Sequence, residues 1–244
     1  RREPTDAAEF AAWLEGTKVT GVDRRGKYLV VRTDGERDLV IHLGMSGQLL
    51  RVSAKEKPPK HTHAVFTFQP ANTILFVDPR TFGELFVSER DPDGATPPAL
   101  GYLGIDPLEP ISWEVFAVHL RARRGRLKAL LTDQTFVAGI GNIYADEILF
   151  AAGLRYDREA ASLSVQELRR LWRAVTEVLG EAIKARGSSL SDEQYVDLYG
   201  KHGEFQPQHA VYDRAGQRCL RCRGTIQRVK FQQRSTYYCD FCQG

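Results

Sequence analysis

Four cysteines near the end of the chain constrain its fold more than any other feature. They form two Cys-x-x-Cys pairs, Cys219 with Cys222 and Cys239 with Cys242, separated by 16 residues. This spacing is typical of two hairpin turns that present four thiolates to one Zn²⁺. Two disulfides are disfavoured in a reducing compartment, and a redox pair would need no second copy. We predict one structural zinc ion, because four thiolates leave no open coordination position.

Positive charge is concentrated in this cysteine-rich tail. Residues 201–244 contain 8 Lys and Arg against 3 Asp and Glu, whereas the whole chain has a net charge of only +3. Arg228, Lys230 and Arg234 lie between the cysteine pairs, where they could bind phosphates. A second basic run at residues 121–128 indicates either a polyanion-binding face or an ordinary solvated surface.

The composition excludes a disordered chain, because 42% of the 244 residues are hydrophobic and 27% are charged. No apolar run is long enough to cross a bilayer, and the first residues lack the hydrophobic stretch of a secretory signal. We therefore expect a soluble, intracellular protein with no membrane partner.

The first part of the chain has the pattern of a β-structure. A short helix is predicted at residues 6–15, with Thr5 as its N-cap and Gly16 after its end. Seven segments rich in β-branched and aromatic residues follow, which indicates a sandwich or barrel. They span residues 17–23, 26–32, 37–43, 47–52, 63–69, 73–78 and 83–88.

The second part is predicted to be helical. Proline and glycine interrupt both the strand pattern and the helical pattern at residues 91–110. Helical patterns then follow at 112–122, 127–133, 142–152 and 165–185. The last begins with a capping box of Ser164 and Glu167 and carries an apolar stripe from Val165 to Ile183, which we interpret as core.

These patterns predict an α+β fold with three domains. An N-terminal β-sandwich domain spans residues 1–104, and a linker spans residues 105–111. A helical domain spans residues 112–213, and the zinc finger spans residues 214–244.

Two glycines precede the predicted helix at residue 142, in the segment GIGNIYADE of residues 139–147. Glycine lets the backbone approach a ligand closely, so the first N–H groups of such a helix, with the Asn142 side chain, can bind an anion. Plain turn chemistry is the alternative.

With the cysteine pairs and this segment, the chain resembles the formamidopyrimidine-DNA glycosylase family from about residue 16 to its end. Further matching motifs are GKYL at 26–29, HLGMSG at 42–47, KHTH at 60–63, DPRTFG at 78–83, KALLTDQ at 128–134 and QRSTYYC at 233–239. The resemblance implies a β-sandwich, a helix-two-turns-helix domain and a zinc hairpin, with double-stranded DNA bound between the domains.

The family excises oxidised purines such as 8-oxoguanine and formamidopyrimidines, and then cleaves the abasic strand by β,δ-elimination. By resemblance, Met45, Arg80 and Phe82 fill the hole that the everted nucleotide leaves, and Arg80 bonds the orphaned cytosine. From the residues alone, Met45 and Phe82 would be strand core, and Arg80 would form a surface ion pair.

Other roles implied by the resemblance concern phosphates and the lesion. Asn142 and Arg234 would hold phosphates beside the lesion, with His61 and Lys27 as further backbone contacts. An accessory catalytic role is also implied for Lys27, because a cation can stabilise developing negative charge. Lys128 would reach toward the everted nucleotide. The loop that closes over 8-oxoguanine would contain Ser189, Asp192 and Phe205.

The family's nucleophile is an N-terminal proline followed by a glutamate, whereas this sequence begins Arg1-Arg2-Glu3-Pro4. An internal proline has no free amine, so Pro4 is not a candidate. We expect a truncated sequence of an ordinary enzyme; the alternative is a non-catalytic zinc-ribbon protein that binds DNA or senses damage. The enzyme would be a monomer in the bacterial cytoplasm, associated with the nucleoid.

Overall fold

The computed structural model describes residues 6–53, 55–70, 72–90, 96–190 and 194–244. The chain divides into two compact units. Unit 1 comprises residues 1–102 with 188–204, and unit 2 comprises residues 103–187 with 205–244. The predicted domains kept 188–204 with the helices, whereas these residues group with the strands. The reason is local hydrogen bonding to β4 (Gln48–Val52): Arg51 N donates to Leu198 O at 2.8 Å, and Gln48 Nε2 donates to Gln194 O at 2.6 Å.

Unit 1 begins with helix α1 (Ala7–Leu14). Its N-cap is Asp6, whose Oδ1 accepts from Ala8 N at 2.9 Å and Glu9 N at 3.0 Å, so the prediction of Thr5 as the N-cap was wrong. Thr5 itself lies outside the described residues. Gly16 follows the C-cap with a φ of 75°, a conformation that glycine adopts without strain.

Two antiparallel sheets form most of unit 1. The first has the order β1-β2-β3-β7, and the second has the order β4-β6-β5. The remaining strand bounds are β1 (Val19–Arg25), β2 (Tyr28–Thr33), β3 (Arg37–His42), β5 (Thr62–Phe68), β6 (Asn72–Val77) and β7 (Glu84–Glu89). All seven predicted strands are present.

The core of unit 1 lies between the two sheets. Leu39 and Ile41 of the first sheet pack with Phe76 of the second, and Phe10 and Leu14 of α1 contact the same cluster. The predicted β-sandwich is confirmed. Inward and outward side chains alternate along its strands, because successive side chains point to opposite faces of a sheet.

Unit 2 contains four helices and a hairpin. The helices are α2 (Trp113–Arg121), α3 (Leu127–Thr132), α4 (Asn142–Ala152) and α5 (Val165–Lys184). The hairpin consists of β8 (Gln227–Phe231) and β9 (Arg234–Tyr238). Each helix begins and ends within one residue of its predicted bounds, so the α+β prediction is confirmed.

Helix α5 shows how the amphipathic pattern becomes packing. Ser164 and Glu167 form the predicted capping box, and the middle of the apolar stripe is buried against α2 and α4. The two ends of the stripe differ from the prediction, because Val165 and Ile183 are exposed. None of the described helices is both long and apolar enough to cross a membrane.

Candidate nucleic-acid interface

The N-terminus of α4 is joined to the zinc hairpin. Its N-cap is Gly141, which makes no side-chain cap hydrogen bond to the first turn. Asn142 Nδ2 donates to Ser235 O at 3.1 Å, which brings Asn142 next to Arg234 at the start of β9. Arg234 is exposed. The first N–H groups of α4, its helix dipole and a guanidinium thus form an anion-binding surface.

A polar side chain of this surface is left unsatisfied. Asn142 Oδ1 is buried and has no hydrogen-bond partner among the described residues.

The turn before α4 is held by Gln134, whose Nε2 donates to Ile140 O at 2.9 Å and whose Oε1 accepts from Gly139 N at 2.9 Å. Gly139 has a φ of 98°, which only glycine adopts readily. The turn therefore fixes where α4 begins.

Lys128 lies beneath this surface and not on it. Its side chain is 2% exposed, and Nζ is 2.6 Å from Asp146 Oδ1. The same ammonium donates to Thr236 Oγ1 at 2.7 Å and Ser235 O at 3.1 Å, so all three of its N–H groups are used. The prediction that Lys128 reaches toward a bound nucleotide conflicts with this placement, because no donor remains and the side chain is enclosed.

Burial shifts the pKa values of both members of this ion pair toward their neutral forms. It raises the pKa of Asp146 to about 7 and lowers the pKa of Lys128, while the attraction between the two groups opposes both shifts. Asp146 also accepts from Tyr237 N at 3.0 Å. The pair thus connects α3, α4 and β9.

Glu147, the neighbour of Asp146, secures the chain that leads into the zinc finger. Its carboxylate accepts from the backbone N–H groups of Ala210, Val211 and Tyr212 at 2.8, 3.0 and 2.7 Å. A buried carboxylate is stable here because three donors replace its lost hydration. Two consecutive acids between apolar residues of one helix were the sequence signal for this anchor.

The four cysteines meet the requirements of a structural zinc site. Their Sγ atoms lie within 4.8 Å of one another, with 3.8 Å between Cys219 and Cys242 and 3.4 Å between Cys222 and Cys239. Tetrahedral thiolates at a Zn–S distance of about 2.3 Å would be about 3.8 Å apart. The set fits one structural Zn²⁺, as predicted.

In unit 1, the predicted intercalating side chains lie at one end of the first sheet. Met45 is 64% exposed and Phe82 is 55% exposed, so neither is strand core. Arg80 is also exposed, and its guanidinium carbon lies 5.3 Å from the centre of the Phe82 ring. The three side chains project from two turns, residues 43–47 and 78–83.

Lys27 and His61 are exposed in the same unit. Lys27 lies in the turn between β1 and β2, next to Tyr28, which pairs with His42 at the end of β3. His61 has a φ of 66°, and its carbonyl accepts from Asp78 N at 3.0 Å. The backbone at Lys27 therefore lies near the end of β3 that precedes the turn of Met45, and the backbone at His61 adjoins the turn of Arg80.

The predicted lesion loop is divided. Ser189 is buried in unit 1, where its Oγ donates to Tyr195 O and accepts from Gly203 N at 2.8 Å. Phe205 is buried in unit 2, with its ring centre 5.9 Å from that of Tyr144. Neither offers a free side chain to a base. Asp192 lies outside the described residues.

Sequence comparison assigns most of the chain to three family models. The formamidopyrimidine-DNA glycosylase N-terminal domain matches residues 1–85, and the formamidopyrimidine-DNA glycosylase H2TH domain matches residues 103–194. The zinc finger found in FPG and IleRS matches residues 216–244.

A relative from Solibacter usitatus, named formamidopyrimidine-DNA glycosylase, is 45% identical over 96% of this chain and 84% of its own length. The chain belongs to the formamidopyrimidine-DNA glycosylase family. As a member, it is a DNA repair glycosylase with a zinc finger, and DNA is its partner.

Solved structures of this glycosylase family share the fold. The crystal structure of the MutM (Fpg) protein from Thermus thermophilus is 44% identical, with a TM-score of 0.86, over 96% of this chain and 85% of that chain. A MutM in complex with DNA containing carbocyclic 8-oxo-G is 32% identical, with a TM-score of 0.86. The match covers 97% of this chain and 85% of that chain.

Four buried polar residues that support the predicted site of this glycosylase were not among the predicted site residues. Asp78, Ser46, Asp146 and Glu147 are all buried. They bond the turns that carry Met45 and Arg80, the strand that carries Arg234, and the chain that leads into the zinc finger. Their burial depends on tertiary packing, so only the acid pair in α4 gave a signal in the sequence.

Proposed function

We propose that this glycosylase removes oxidised purines, namely 8-oxoguanine and formamidopyrimidines, from double-stranded DNA and then cleaves the abasic strand by β,δ-elimination. The name of the Solibacter usitatus relative and the 8-oxo-G DNA complex of a solved MutM support this substrate class.

The observation that carries the proposal is the anion-binding surface of unit 2. The uncapped N-terminus of α4, the Asn142 amide and the exposed Arg234 guanidinium come together through the bond between Asn142 Nδ2 and Ser235 O. Two adjacent phosphates of one DNA strand fit such a surface, because N–H groups and a guanidinium are the donors that phosphate oxygens accept. Lys128 supports the surface from below and does not bind DNA.

The exposed side chains of unit 1 have a second role in the proposal. Met45 and Phe82 fill the space that the everted nucleotide leaves, because apolar side chains insert between bases at low cost in desolvation. Arg80 donates to the orphaned cytosine, whose exposed edge carries acceptors. Lys27 and His61 contact the sugar-phosphate backbone, and Lys27 also stabilises negative charge that develops at the sugar.

Borohydride trapping tests the proposed activity. Protein expressed from the gene that encodes this chain is incubated with a duplex containing 8-oxoguanine opposite cytosine, and sodium borohydride is added. An amine that displaces the base from C1′ leaves an imine, which borohydride reduces to a stable adduct. We expect a covalent protein–DNA product with the damaged duplex and none with the undamaged control. Tight binding without an adduct would contradict the proposal.

We further propose that the protein acts as a monomer at the nucleoid in the bacterial cytoplasm. The bacterial source of the relatives supports the compartment. Sedimentation of the free protein and of its duplex complex tests the stoichiometry, with one protein per lesion as the expected result.

A further inference from the structure

A buried carboxylate connects the two turns that carry the exposed side chains of unit 1. Asp78 follows the last residue of β6 and is 1% exposed. One carboxylate oxygen lies 2.5 Å from Ser46 Oγ, and the other accepts from Gly83 N at 2.7 Å. Ser46, also buried, is the neighbour of Met45. A single carboxylate therefore bonds the turn at 43–47 to the turn at 78–83.

A second set of bonds locks the same two turns. Arg80 N donates to Ser46 Oγ at 3.1 Å and approaches Asp78 Oδ1 at 3.3 Å. The main chains also touch: a Cβ added at Gly44 would lie 2.5 Å from the carbonyl carbon of Phe82, and Gly44 has a φ of +63°. Only glycine fits at this crossing.

The bonds around Asp78 require its charge. Burial by itself would raise the pKa of this carboxyl, but the hydrogen bonds from Ser46, Gly83 and Arg80 outweigh burial and hold its pKa below the usual value. An ionised carboxylate can accept all three bonds, whereas an amide in its place would present an N–H₂ group to one of the donors.

We propose that Asp78 and Ser46 are positioning residues that hold Met45, Arg80 and Phe82 as one preformed unit and thereby set the preference for the base opposite the lesion. The inference rests on the proposed role of these three side chains. Preorganisation matters because turns that became ordered only on binding would lower the affinity, and turns that are already rigid avoid that cost.

Asp38 provides a matched control within unit 1. It is as buried as Asp78, and its carboxylate accepts from Arg32 and Arg90, each at 2.8 Å. Its partners lie outside the two turns. An Asp38→Asn variant therefore removes a buried carboxylate of unit 1 without altering the bonds that connect the turns.

The experiment measures binding, so it does not depend on excision. Duplexes carry a tetrahydrofuran abasic analogue opposite either cytosine or adenine, and fluorescence anisotropy gives the two dissociation constants for the wild type and for Asp78→Asn, Ser46→Ala, Asp38→Asn and Arg80→Ala. Thermal unfolding confirms that each variant is folded at the assay temperature. The readout is the ratio of the two dissociation constants, which a general loss of stability does not change.

We expect the wild type to prefer cytosine and Arg80→Ala to lose that preference. Asp78→Asn should reduce the ratio by about tenfold and Ser46→Ala by about threefold, while Asp38→Asn should retain the wild-type ratio. Ser46→Ala removes one hydroxyl, so it keeps the inference testable if Asp78→Asn does not fold.

Three outcomes would overturn the inference. If Arg80→Ala loses the preference but Asp78→Asn and Ser46→Ala keep it, the positioning role is wrong and the proposed role of Arg80 stands. If Asp38→Asn lowers the ratio as much as Asp78→Asn, the effect follows the loss of any buried carboxylate of unit 1, and the bonds between the two turns are not its cause. If Arg80→Ala retains the preference, the proposed role of Arg80 fails, and the inference fails with it.

Discussion

Arg234 and Asn142 reach the same surface through different parts of the chain. Asn142 is fixed by its place at the start of α4, and Arg234 by the zinc hairpin. If Arg234 binds a phosphate, Arg234→Ala should weaken binding to damaged and undamaged duplex alike, because phosphates carry no sequence information. The slope of log K against log salt concentration should decrease in magnitude by about 0.9, measured by anisotropy from low to high salt.

Arg173→Ala is the control for this change. Arg173 is an exposed arginine on α5, 3.8 Å from Glu177, and its loss should leave affinity and slope unchanged. An unaltered slope for Arg234→Ala would exclude the phosphate role, even if the affinity changed.

Single residues show where sequence reasoning stops. The resemblance implied that Met45 and Phe82 are exposed. The strand pattern alone predicted the opposite, because apolar side chains in strands are usually buried. Lys128 was taken for a ligand contact, yet the partner that buries it, Asp146, lies 18 positions along the chain. Whether a lysine is solvated or enclosed depends on such distant partners, which periodicity does not reveal.

At the scale of elements, periodicity and capping predicted nearly every helix and strand. Helix α5 begins at its capping box because Ser164 and Glu167 bond each other's backbone N–H groups, which is a local interaction. The segment at 188–204 differs. It was expected to be a loop of the helical domain, but it bonds β4, and an edge strand accepts such a neighbour through backbone groups that carry no sequence signal.

The zinc hairpin is an element that depends on its metal. Around Cys219 and Cys239, the buried cluster includes only a few apolar side chains, among them Ile226 and Tyr237, and small zinc domains gain most of their stability from the ion. Chelation should therefore release β8–β9 and lower duplex affinity by more than about tenfold, because Arg234 loses its position.

Hydrogen exchange locates this effect. After chelation, the Tyr237 N–H, which bonds Asp146, should lose protection, while the Val40 N–H in β3 should keep it. Added Zn²⁺ should restore both binding and protection, and Mg²⁺ should not, because thiolates prefer the softer ion. Full affinity after complete removal of zinc would contradict the dependence.

At the scale of the whole molecule, ionised carboxylates support both units. In unit 1, burial opposes ionisation of Asp38, but bonds from Arg90 and Arg32 hold its pKa below the usual value. In unit 2, the pKa of Glu167 is lowered by the backbone N–H of Ser164 and by Arg158. Each carboxylate therefore favours the folded state when it is ionised.

These lowered pKa values predict the acid sensitivity of the protein. A carboxylate with a lowered pKa contributes stability that is fully present above its unfolded pKa of about 4 and is lost as pH falls through the folded pKa. The contribution of these two carboxylates to the free energy of unfolding should thus be constant near neutral pH and decrease below about pH 4. Asp38→Asn should be less stable than wild type by about 2 kcal/mol at pH 7, and should lose less stability in acid. Urea denaturation from pH 7 to pH 2.5 measures both curves. The two curves should converge at low pH, because protonation of Asp38 removes from the wild type the charge that the variant lacks. Parallel curves would show that Asp38 does not contribute to acid unfolding.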